Sequence, residues 1–284
     1  MINRNFKDFK FLHKKKQNQV LFTSKRIKGD SEILNLIENF LKEKNSFIFE
    51  SVEKGIIKGR YTIFGKKPDK IWEFNNSNSY YINKNNKRKK INGEPKKIIE
   101  NLIQNFKFKI PSILPPICSL LSGYFSYDCI RYLEKIPNKC KDDLKLPDAR
   151  LLRPTVLVIH DNLKKRIYYI INVYKDEKIF NYKKKYIEIK KELDQLIFQA
   201  ANKKNKTIIS YNSKKIVVKS NTSKNKFLSM VNKAKNYIKI GDIFQVVLSQ
   251  RFEAKLNKKP LEIYKKLRVT NPSPFMFFFN FPDF

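Results

Sequence analysis

The sequence predicts an α+β fold that is rich in antiparallel sheet, and three patterns indicate it. Two β-branched and aromatic runs flank a polar turn in TVLVIHDNLKKRIYYIINVY, residues 155–174, which is typical of a β-hairpin. Short apolar runs separated by turns between residues 46 and 74 predict an antiparallel meander. Apolar residues at helical spacing predict amphipathic helices over residues 31–44 and 181–199.

The first elements are predicted between residues 31 and 74. Helix 31–44 has a possible N-cap at Ser31 and an apolar stripe made of Ile33, Leu36, Ile37 and Phe40. SFIFESV predicts a strand, which a turn around Gly55 connects to a second strand in GRYTIFG. DKIWEF predicts a third strand.

The middle of the chain has weaker patterns. Residues 75–97 are rich in Asn and Lys, which indicates an exposed loop or an edge hairpin, and residues 96–106 have weak helical spacing. PSILPPI is a stiff connector, because proline fixes φ and lacks a backbone donor. GYFSYDCIRYLEKIP begins as a strand and turns into a helix that ends before Pro137.

A second unit begins after a polar connection over residues 201–220. Ser223 can cap a helix with Gly241 at its C′ position, and the apolar face consists of Phe227, Val231, Ala234 and Ile238. A strand over residues 243–252 follows, and alternation places Gln245, Ser249 and Arg251 on one of its faces. This face is either a partly wet sheet edge or a pocket wall for an anionic ligand.

The net charge of +35 and the pI of about 10.0 have two explanations. Many cations would favour nucleic-acid binding through counterion release. The lysines are spread over the whole chain, however, and residues with A+T-rich codons are favoured everywhere, so compositional drift is the preferred explanation. The N-terminus lacks the apolar stretch of a secretory signal, and the expected location is the cytoplasm. Cys118, Cys129 and Cys140 predict neither a disulfide framework nor a zinc site.

No P-loop, GxGxxG, HExxH or GxSxG motif occurs in the sequence. Several segments nevertheless resemble anthranilate synthase component I, the large chorismate-using subunit of tryptophan biosynthesis. They are FIFESVEKGIIKGRYTIFGKKPDKIWEF, SGYFSYDCIRYLEKIP, LPDARLLRPTVLVIHD, KAKNYIKIGDIFQVVLSQRF and IYKKLRVTNPSPFMFFFNF, and they follow the order of the family. The last two are the most specific. The resemblance covers nearly all of the chain outside residues 1–20, 75–95 and 175–220.

The resemblance implies a division of the chain into four parts. A basic extension occupies residues 1–20, and an antiparallel-sheet-rich N-terminal domain occupies residues 21–175. A helix and linker follow over residues 176–220. Residues 221–284 are the opening part of a chorismate-binding α/β-sandwich domain. In the family the chain continues beyond this point, so the expectation is that residue 284 is where a fragment was cut.

The resemblance also implies a reaction, a cofactor and a partner. Ammonia from a glutamine amidotransferase subunit, component II, adds to chorismate, and loss of pyruvate gives anthranilate. Mg²⁺ neutralises a substrate carboxylate, but its ligands have no counterpart among residues 1–284, so the chain alone is predicted to be inactive. Gln245 is expected in the pocket wall, where related isochorismate synthases carry a lysine that activates water.

The family is inhibited by tryptophan, and the resemblance implies an inhibitor site at two motifs. Glu50 and Ser51 form one of them. The other spans residues 271–276, of which Asn271, Pro274, Phe275 and Met276 are the expected contacts. Phe275 stands where the family usually has tyrosine, so a hydroxyl is lost, which is expected to weaken tryptophan binding by about 1 kcal/mol.

Three alternatives remain open from the sequence. The sister enzyme that makes aminodeoxychorismate for folate shares most of these motifs. A non-catalytic module that binds tryptophan or a subunit is the second alternative. A basic nucleic-acid binder is the third, and its binding would be sensitive to salt and blind to sequence. No specific nucleic acid and no membrane is expected as a partner.

Overall fold

The computed structural model describes residues 2–27, 29, 31–53, 57–139, 141–202, 216–271 and 273–284. The chain divides into two compact units, of which one comprises Met1–Asn205 with Lys266–Phe284 and the other comprises Lys206–Lys265. The domain boundaries predicted after residues 20, 175 and 220 stay predictions.

The described elements run in the following order along the chain. Up to residue 201 they are α1 (Phe6–Lys14), β1 (Gln19–Arg26), α2 (Ser31–Phe40), β2 (Ser46–Glu53), β3 (Ile57–Asn75), β4 (Asn78–Asn83), β5 (Arg88–Ile91), α3 (Pro95–Asn105), β6 (Ser122–Phe125), β7 (Ala149–Asp161), β8 (Arg166–Val173) and α4 (Tyr182–Ala201). Then come β9 (Val218–Ser220), α5 (Lys224–Lys239), β10 (Phe252–Ala254), α6 (Pro260–Thr270) and β11 (Phe275–Asn280). Two 3₁₀ turns occur at Pro116–Cys118 and Tyr127–Tyr132.

One antiparallel sheet organises the first unit, so the predicted α+β fold with a dominant antiparallel sheet is confirmed. Nine of the described strands belong to it, and its main path is β1-β8-β7-β3-β2-β11. β4 and β6 pair with β3 and β7, and β5 pairs with β4. In the described part of Lys206–Lys265, β9 and β10 form a separate two-stranded sheet.

Helices cover one face of the large sheet. The rings of Phe40 in α2 and Phe64 in β3 lie 5.6 Å apart, and α2 is bonded to α4 through the Asn35 amide, which donates to the Ala200 carbonyl at 2.9 Å. The predicted apolar stripe of α2 is buried throughout. In α4, three of the four predicted stripe residues are buried, namely Ile189, Leu193 and Leu196. Both predicted helices are therefore confirmed as the packing layer on this face.

The opposite face carries a second apolar cluster. Its buried members include Phe22, Phe47, Leu157 and Tyr168, and the connector that contains Leu114 and Cys118 packs over them. The connector predicted from PSILPPI therefore covers the sheet. Further along the sheet, α3 packs on a smaller cluster around Trp72 and Phe74.

Several local predictions are confirmed. The hairpin of residues 155–174 forms as β7 and β8, and the Asn/Lys-rich segment forms the edge hairpin of β4 and β5. Ser223 caps α5, because its side chain accepts a hydrogen bond from the Lys226 amide, and Gly241 has a φ of +80° just after the helix. The turn predicted around Gly55 falls outside the described residues.

The strands predicted at residues 59–65 and 69–74 are one strand, β3. The pairing register with β7 shifts between Pro68 and Lys70, and Lys67 has a φ of +52°. A β-bulge thus accommodates Pro68 without ending the pairing of β3 with β7. The turn expected between the two predicted strands is therefore absent from this described part of the chain.

Two further predictions are wrong. The helix expected within GYFSYDCIRYLEKIP is only the 3₁₀ turn Tyr127–Tyr132. Beyond it, the carbonyls of Ile136 and Pro137 accept hydrogen bonds from the Arg131 side chain and not from helix amides. Of the strand expected over residues 243–252, only Phe252 is in a strand. A strand needs a neighbour for its backbone groups, and among the described residues only β9 pairs with this region. α1, whose Phe9 is fully buried, was not predicted from the sequence.

Candidate functional site

The two predicted inhibitor motifs lie side by side in the sheet. β2 and β11 pair antiparallel, with Ser51 opposite Phe275 and Glu50 opposite Met276. The structure therefore brings together four of the residues that the sequence analysis named, although the motifs are far apart in the chain. Their role in binding a ligand stays a prediction.

Strand alternation divides these four residues between the two faces of the sheet. Cross-strand partners share a face, so Glu50 and Met276 lie on one face and Ser51 and Phe275 on the other. The register of β2 with β3 shifts between Glu50 and Val52, which is a β-bulge beside the motif. A small ligand in contact with all four side chains would have to bind at the ends of the strands, not on either face.

Gly59 provides the room that Ser51 occupies. A Cβ atom added at Gly59 would overlap the side chain of Ser51, so only glycine allows β3 to approach the bulge this closely. Ser51 itself is half-buried, and its side chain lies directly against Gly59.

The carboxylate of Glu50 is buried and paired with Arg268. The Nε atom of Arg268 lies 3.0 Å from Oε1 and 2.8 Å from Oε2 of Glu50, whose side chain is only 2% exposed. Arg268 comes from the last turn of α6. The pair thus fixes the end of α6, and with it the start of the 271–276 motif, to the middle of β2.

Arg268 is a site residue that the sequence analysis missed. Its terminal guanidinium nitrogens have no protein partner among the described residues, while Nε is occupied by Glu50. A basic residue in the last turn of a helix is common, because it complements the helix dipole, and this signal alone does not identify a partner. The separation of 218 residues from Glu50 left no local pattern to detect.

The phenylalanines of β11 change from exposed to packed along the strand. Phe275 is 82% exposed, whereas the ring of Phe279 lies 5.7 Å from Phe47 and 5.5 Å from Phe49. Asn280 ends the strand, and its amide donates to the carbonyls of Leu41 and Glu43, both at 3.0 Å. One end of β11 is therefore anchored, and the end at the predicted ligand site is open.

The remaining predicted residues have less defined surroundings. Asn271 is exposed, and its backbone amide bonds to the Leu267 carbonyl at 2.9 Å. Pro274 is exposed directly before β11, and Pro272 lies outside the described residues. Gln245 is exposed in Lys206–Lys265, in a stretch without regular structure. Its assignment to a pocket wall stays a prediction.

Hydrogen bonds to Pro147 and Asp148 join two other segments that carry the family resemblance. The Tyr132 hydroxyl donates to the Asp148 carboxylate at 2.7 Å, and the Tyr124 hydroxyl donates to the Pro147 carbonyl at 2.9 Å. Burial raises the pKa of Tyr124 to about 12, while nearby Arg150 partly opposes the shift. Both tyrosines are thus neutral hydrogen-bond donors at neutral pH, and they tie SGYFSYD to LPDAR.

Arg150 forms a second buried ionic contact near the end of the chain. Its Nη1 atom lies 2.6 Å from Asp283 and 3.5 Å from Glu73, and its guanidinium lies over the rings of Phe281 and Phe284. Residues 281–284 are therefore fixed on the sheet next to Tyr124, whose ring lies 6.2 Å from Phe281. Nη1 of Arg150 is paired, while its Nε atom is buried without a hydrogen-bond partner among the described residues.

Neither a metal site nor a membrane span is found in the part of the chain that the structure describes. Within it, no group of three or more His, Cys, Asp or Glu residues is positioned to hold a metal ion. No residue is therefore assigned to Mg²⁺, and no chemical step is derived through it. Among the same residues, no helix has both the length and the apolar content that crossing a bilayer requires.

Comparison with known proteins gives consistent matches. Residues 46–284 match a family described as chorismate binding enzyme. The chain is 35% identical over 254 residues to anthranilate synthase component 1 from Acetivibrio thermocellus, which covers 87% of this chain and 51% of that protein. It is 32% identical over 291 residues to the protein of the same name from Cereibacter sphaeroides, covering 99% of this chain and 57% of that protein.

A solved structure agrees with these sequence matches. The crystal structure of anthranilate synthase component I from Streptococcus pneumoniae TIGR4 superimposes with a TM-score of 0.62 at 27% identity, covering 78% of this chain and 48% of that one. The chain therefore spans about half the length of the relatives it matches.

Proposed function

Because the chain belongs to the chorismate binding enzyme family, we propose that it acts in tryptophan biosynthesis as part of component I of an anthranilate synthase. The observation that carries the proposal is the match over residues 46–284 together with relatives that bear this name. The segments that carry the resemblance lie within the matched residues and support the same function.

The proposed reaction converts chorismate and ammonia into anthranilate and pyruvate. A glutamine amidotransferase subunit, component II, supplies the ammonia. Gln245 contributes a hydrogen-bonding amide to the substrate pocket and transfers no proton, because an amide is not a base at neutral pH. Mg²⁺, when bound, would neutralise a substrate carboxylate. The proposed location is the cytoplasm.

Tryptophan is the proposed inhibitor, and its site lies where β2 and β11 meet. The adjacency of Glu50 and Ser51 to Phe275 and Met276 supports this proposal. The turn before β11 offers backbone carbonyls to the ligand ammonium, and Met276 and Phe275 offer a thioether and a ring to the indole. Phe275 is exposed and therefore accessible to a ligand.

Arg268 adds a group for the carboxylate of such a ligand. Its Nε atom is engaged by Glu50, and its terminal nitrogens have no partner among the described residues, so they are oriented donors beside the turn. A guanidinium that is already fixed by a buried carboxylate loses little entropy when it binds a second one. Tryptamine, which lacks the carboxylate, is expected to bind at least about tenfold more weakly than L-tryptophan.

Genetic complementation tests the assignment. The complete gene that contains this sequence is expected to restore growth without tryptophan to a strain that lacks anthranilate synthase component I, whereas residues 1–284 expressed alone are expected not to. The same gene in a strain that requires 4-aminobenzoate is the control for the sister enzyme of folate synthesis. Rescue of the second strain and not of the first would replace anthranilate by aminodeoxychorismate as the product.

Calorimetry tests the inhibitor site separately. Titration of the 284-residue chain with L-tryptophan is expected to give saturable heat, and tryptamine is expected to give much weaker binding. Saturable binding without any synthase activity in complementation would favour the non-catalytic binding module. No heat at millimolar L-tryptophan would overturn the inhibitor site.

A further inference from the structure

A cavity of about 480 Å³ lies on the sheet beneath α3, in the first unit. Trp72 of β3 and Tyr174, the residue after β8, form part of its wall, and α3 contributes Ile98 and Leu102. Ligand pockets in proteins typically have volumes of roughly 300–1,000 Å³, so this cavity has room for a small molecule. Nothing in the proposed synthase reaction or in tryptophan inhibition uses it.

Seven of the fifteen residues that line the cavity are apolar or aromatic, and the others are four asparagines and four charged residues. Trp72 is 7% exposed and Tyr174 is 1% exposed, and the ring of Phe106 lies 6.4 Å from that of Tyr174. Ile98 and Leu102 are only half-buried, because the helix face that carries them borders the cavity instead of packing fully on the sheet. The accessible apolar surface of the wall therefore comes mainly from half-buried side chains such as Leu102 and Phe106, which suit the apolar body of a small ligand.

Ion pairs hold one end of the cavity rigid. Arg153 donates from Nε to Asp69 at 2.8 Å and from Nη2 to Asp176 at 2.9 Å, and its guanidinium lies 3.9 Å from the centre of the Tyr174 ring. Lys70 reaches Asp176 at 2.6 Å. The polar end of the cavity is thus preorganised and does not depend on a ligand for its shape.

The charges at this end favour an anion. The carboxylates of Asp69 and Asp176 balance Lys70 and Arg153, whereas Lys175, which also lines the cavity, has no ion-pair partner among the described residues. The net charge of +35 on the chain adds a positive field around any site on its surface.

From this juxtaposition of apolar side chains with an unbalanced cation, we propose that the cavity beneath α3 binds a small carboxylate with an apolar body. The apolar body lies against Leu102 and Phe106, and the anionic group points to Lys175. The proposal is independent of the synthase assignment and of the tryptophan site, because it rests on residues that neither of them uses.

The single tryptophan of the chain provides the test. Trp72 is the only tryptophan in the sequence, so intrinsic fluorescence reports on this cavity alone. The probe is 4-nitrobenzoate, a planar anion that quenches indole emission, and the matched neutral probe is 4-nitrobenzamide. We expect saturable quenching by both, with the benzoate binding about three- to fivefold more tightly, which is the range for a partly exposed ion pair.

Two variants and one control assign the effect to the cavity. Lys175→Gln is expected to bring the benzoate affinity down to that of the amide. Leu102→Phe fills the cavity and is expected to abolish saturable quenching, while unchanged circular dichroism shows that the fold is kept. Lys164→Gln removes an exposed cation from the β7–β8 turn and should leave both affinities unchanged.

Three outcomes would overturn the proposal. Quenching that rises linearly without saturation would mean collision in solution and no binding. Equal affinities for the benzoate and the amide would remove the anion preference. Saturable quenching that persists in a folded Leu102→Phe variant would place the probe elsewhere on the basic surface.

Discussion

Arg268 and Glu50 join the end of α6 to the middle of β2 through an ion pair in which one Nε atom lies within 3.0 Å of both carboxylate oxygens. The carboxylate is buried and the guanidinium is mostly buried. Each charge has therefore lost most of its water and is stabilised by the opposite charge instead. The contact is therefore a mechanical link between the two proposed inhibitor motifs, and the stability of the strand pair should depend on it.

Arg268→Gln is expected to lower the free energy of unfolding by about 3 kcal/mol, because a buried carboxylate loses its positive partner. Urea denaturation measures the effect. The double variant Glu50→Gln/Arg268→Gln is expected to recover a large part of the loss, since both charges are then absent. Additive losses in the double variant would show that the two side chains do not act as a pair.

Phe275→Tyr is expected to tighten L-tryptophan binding about fivefold, because it restores a hydroxyl that can form one net hydrogen bond of about 1 kcal/mol. Isothermal titration calorimetry measures the change. Phe275 is exposed in the absence of ligand, so the melting temperature without tryptophan should stay the same. An unchanged affinity would show that position 275 does not contact the ligand through its ring edge.

Met276→Ala tests the opposite face of the same strand. Met276 pairs with Glu50 and is half-buried, so the substitution is expected to weaken L-tryptophan binding by removing thioether contacts. Phe277→Ala is a matched control, because Phe277 is an exposed β11 residue opposite Phe49, one pair further from the motif. Equal effects of the two substitutions on binding would argue for a change in strand stability and not for a direct contact.

The isolated 284-residue chain is expected to form no anthranilate from chorismate, ammonia and Mg²⁺. The reason is the resemblance, in which the magnesium ligands and acid-base residues belong to motifs without a counterpart in this sequence. Anthranilate fluorescence is a sensitive assay, and a complete anthranilate synthase assayed in parallel provides the positive control. Turnover above the background of heat-treated protein would contradict the expectation.

Cys118 is expected to resist alkylation in the native chain at pH 8. Burial raises the pKa of this thiol to about 11 from an ordinary value of 9.0, so its reactive thiolate is almost absent at that pH. Peptide mass spectrometry after iodoacetamide treatment measures the labelling, and the same treatment in denaturant provides full modification for comparison. Rapid native labelling of Cys118 would show that the connector over the sheet opens readily.

The raised pKa of Cys118 also predicts how the free energy of unfolding changes with pH. A folded-state pKa above the unfolded value means that the contribution is fully present below about pH 9 and is lost as the pH rises to about 11. Cys118→Val should therefore lose less stability than the parent chain across this interval.

Several elements that have a clear periodic pattern in their own sequence were predicted correctly. The hairpin of β7 and β8 alternates apolar residues around a polar turn, and α4 has an apolar stripe, so each could be identified without knowing its partner. The sequence predicted β3 as two strands, GRYTIFG and DKIWEF, and only the pairing with β7 shows that a bulge after Pro68 joins them.

Features that depend on distant residues were not predictable. α1 is short and basic, and contacts with other elements explain its burial: the ring of Phe9 lies 5.7 Å from Tyr186 in α4, and the Gln19 amide of β1 donates to the Phe9 carbonyl. The pair of Glu50 and Arg268 joins residues 218 apart. The resemblance named both sides of the candidate site, but the division of its side chains between two sheet faces required the register of β2 and β11.

The position of β11 beside β2 has a consequence for synthesis on the ribosome. β2 and β3 can pair early, whereas the outer edge of β2 waits for a strand translated much later. At about 5–20 residues per second, the roughly 220 intervening residues take about 10–45 s to appear. During that interval the nascent chain presents an unpaired, phenylalanine-bearing edge, which is a natural binding site for a chaperone.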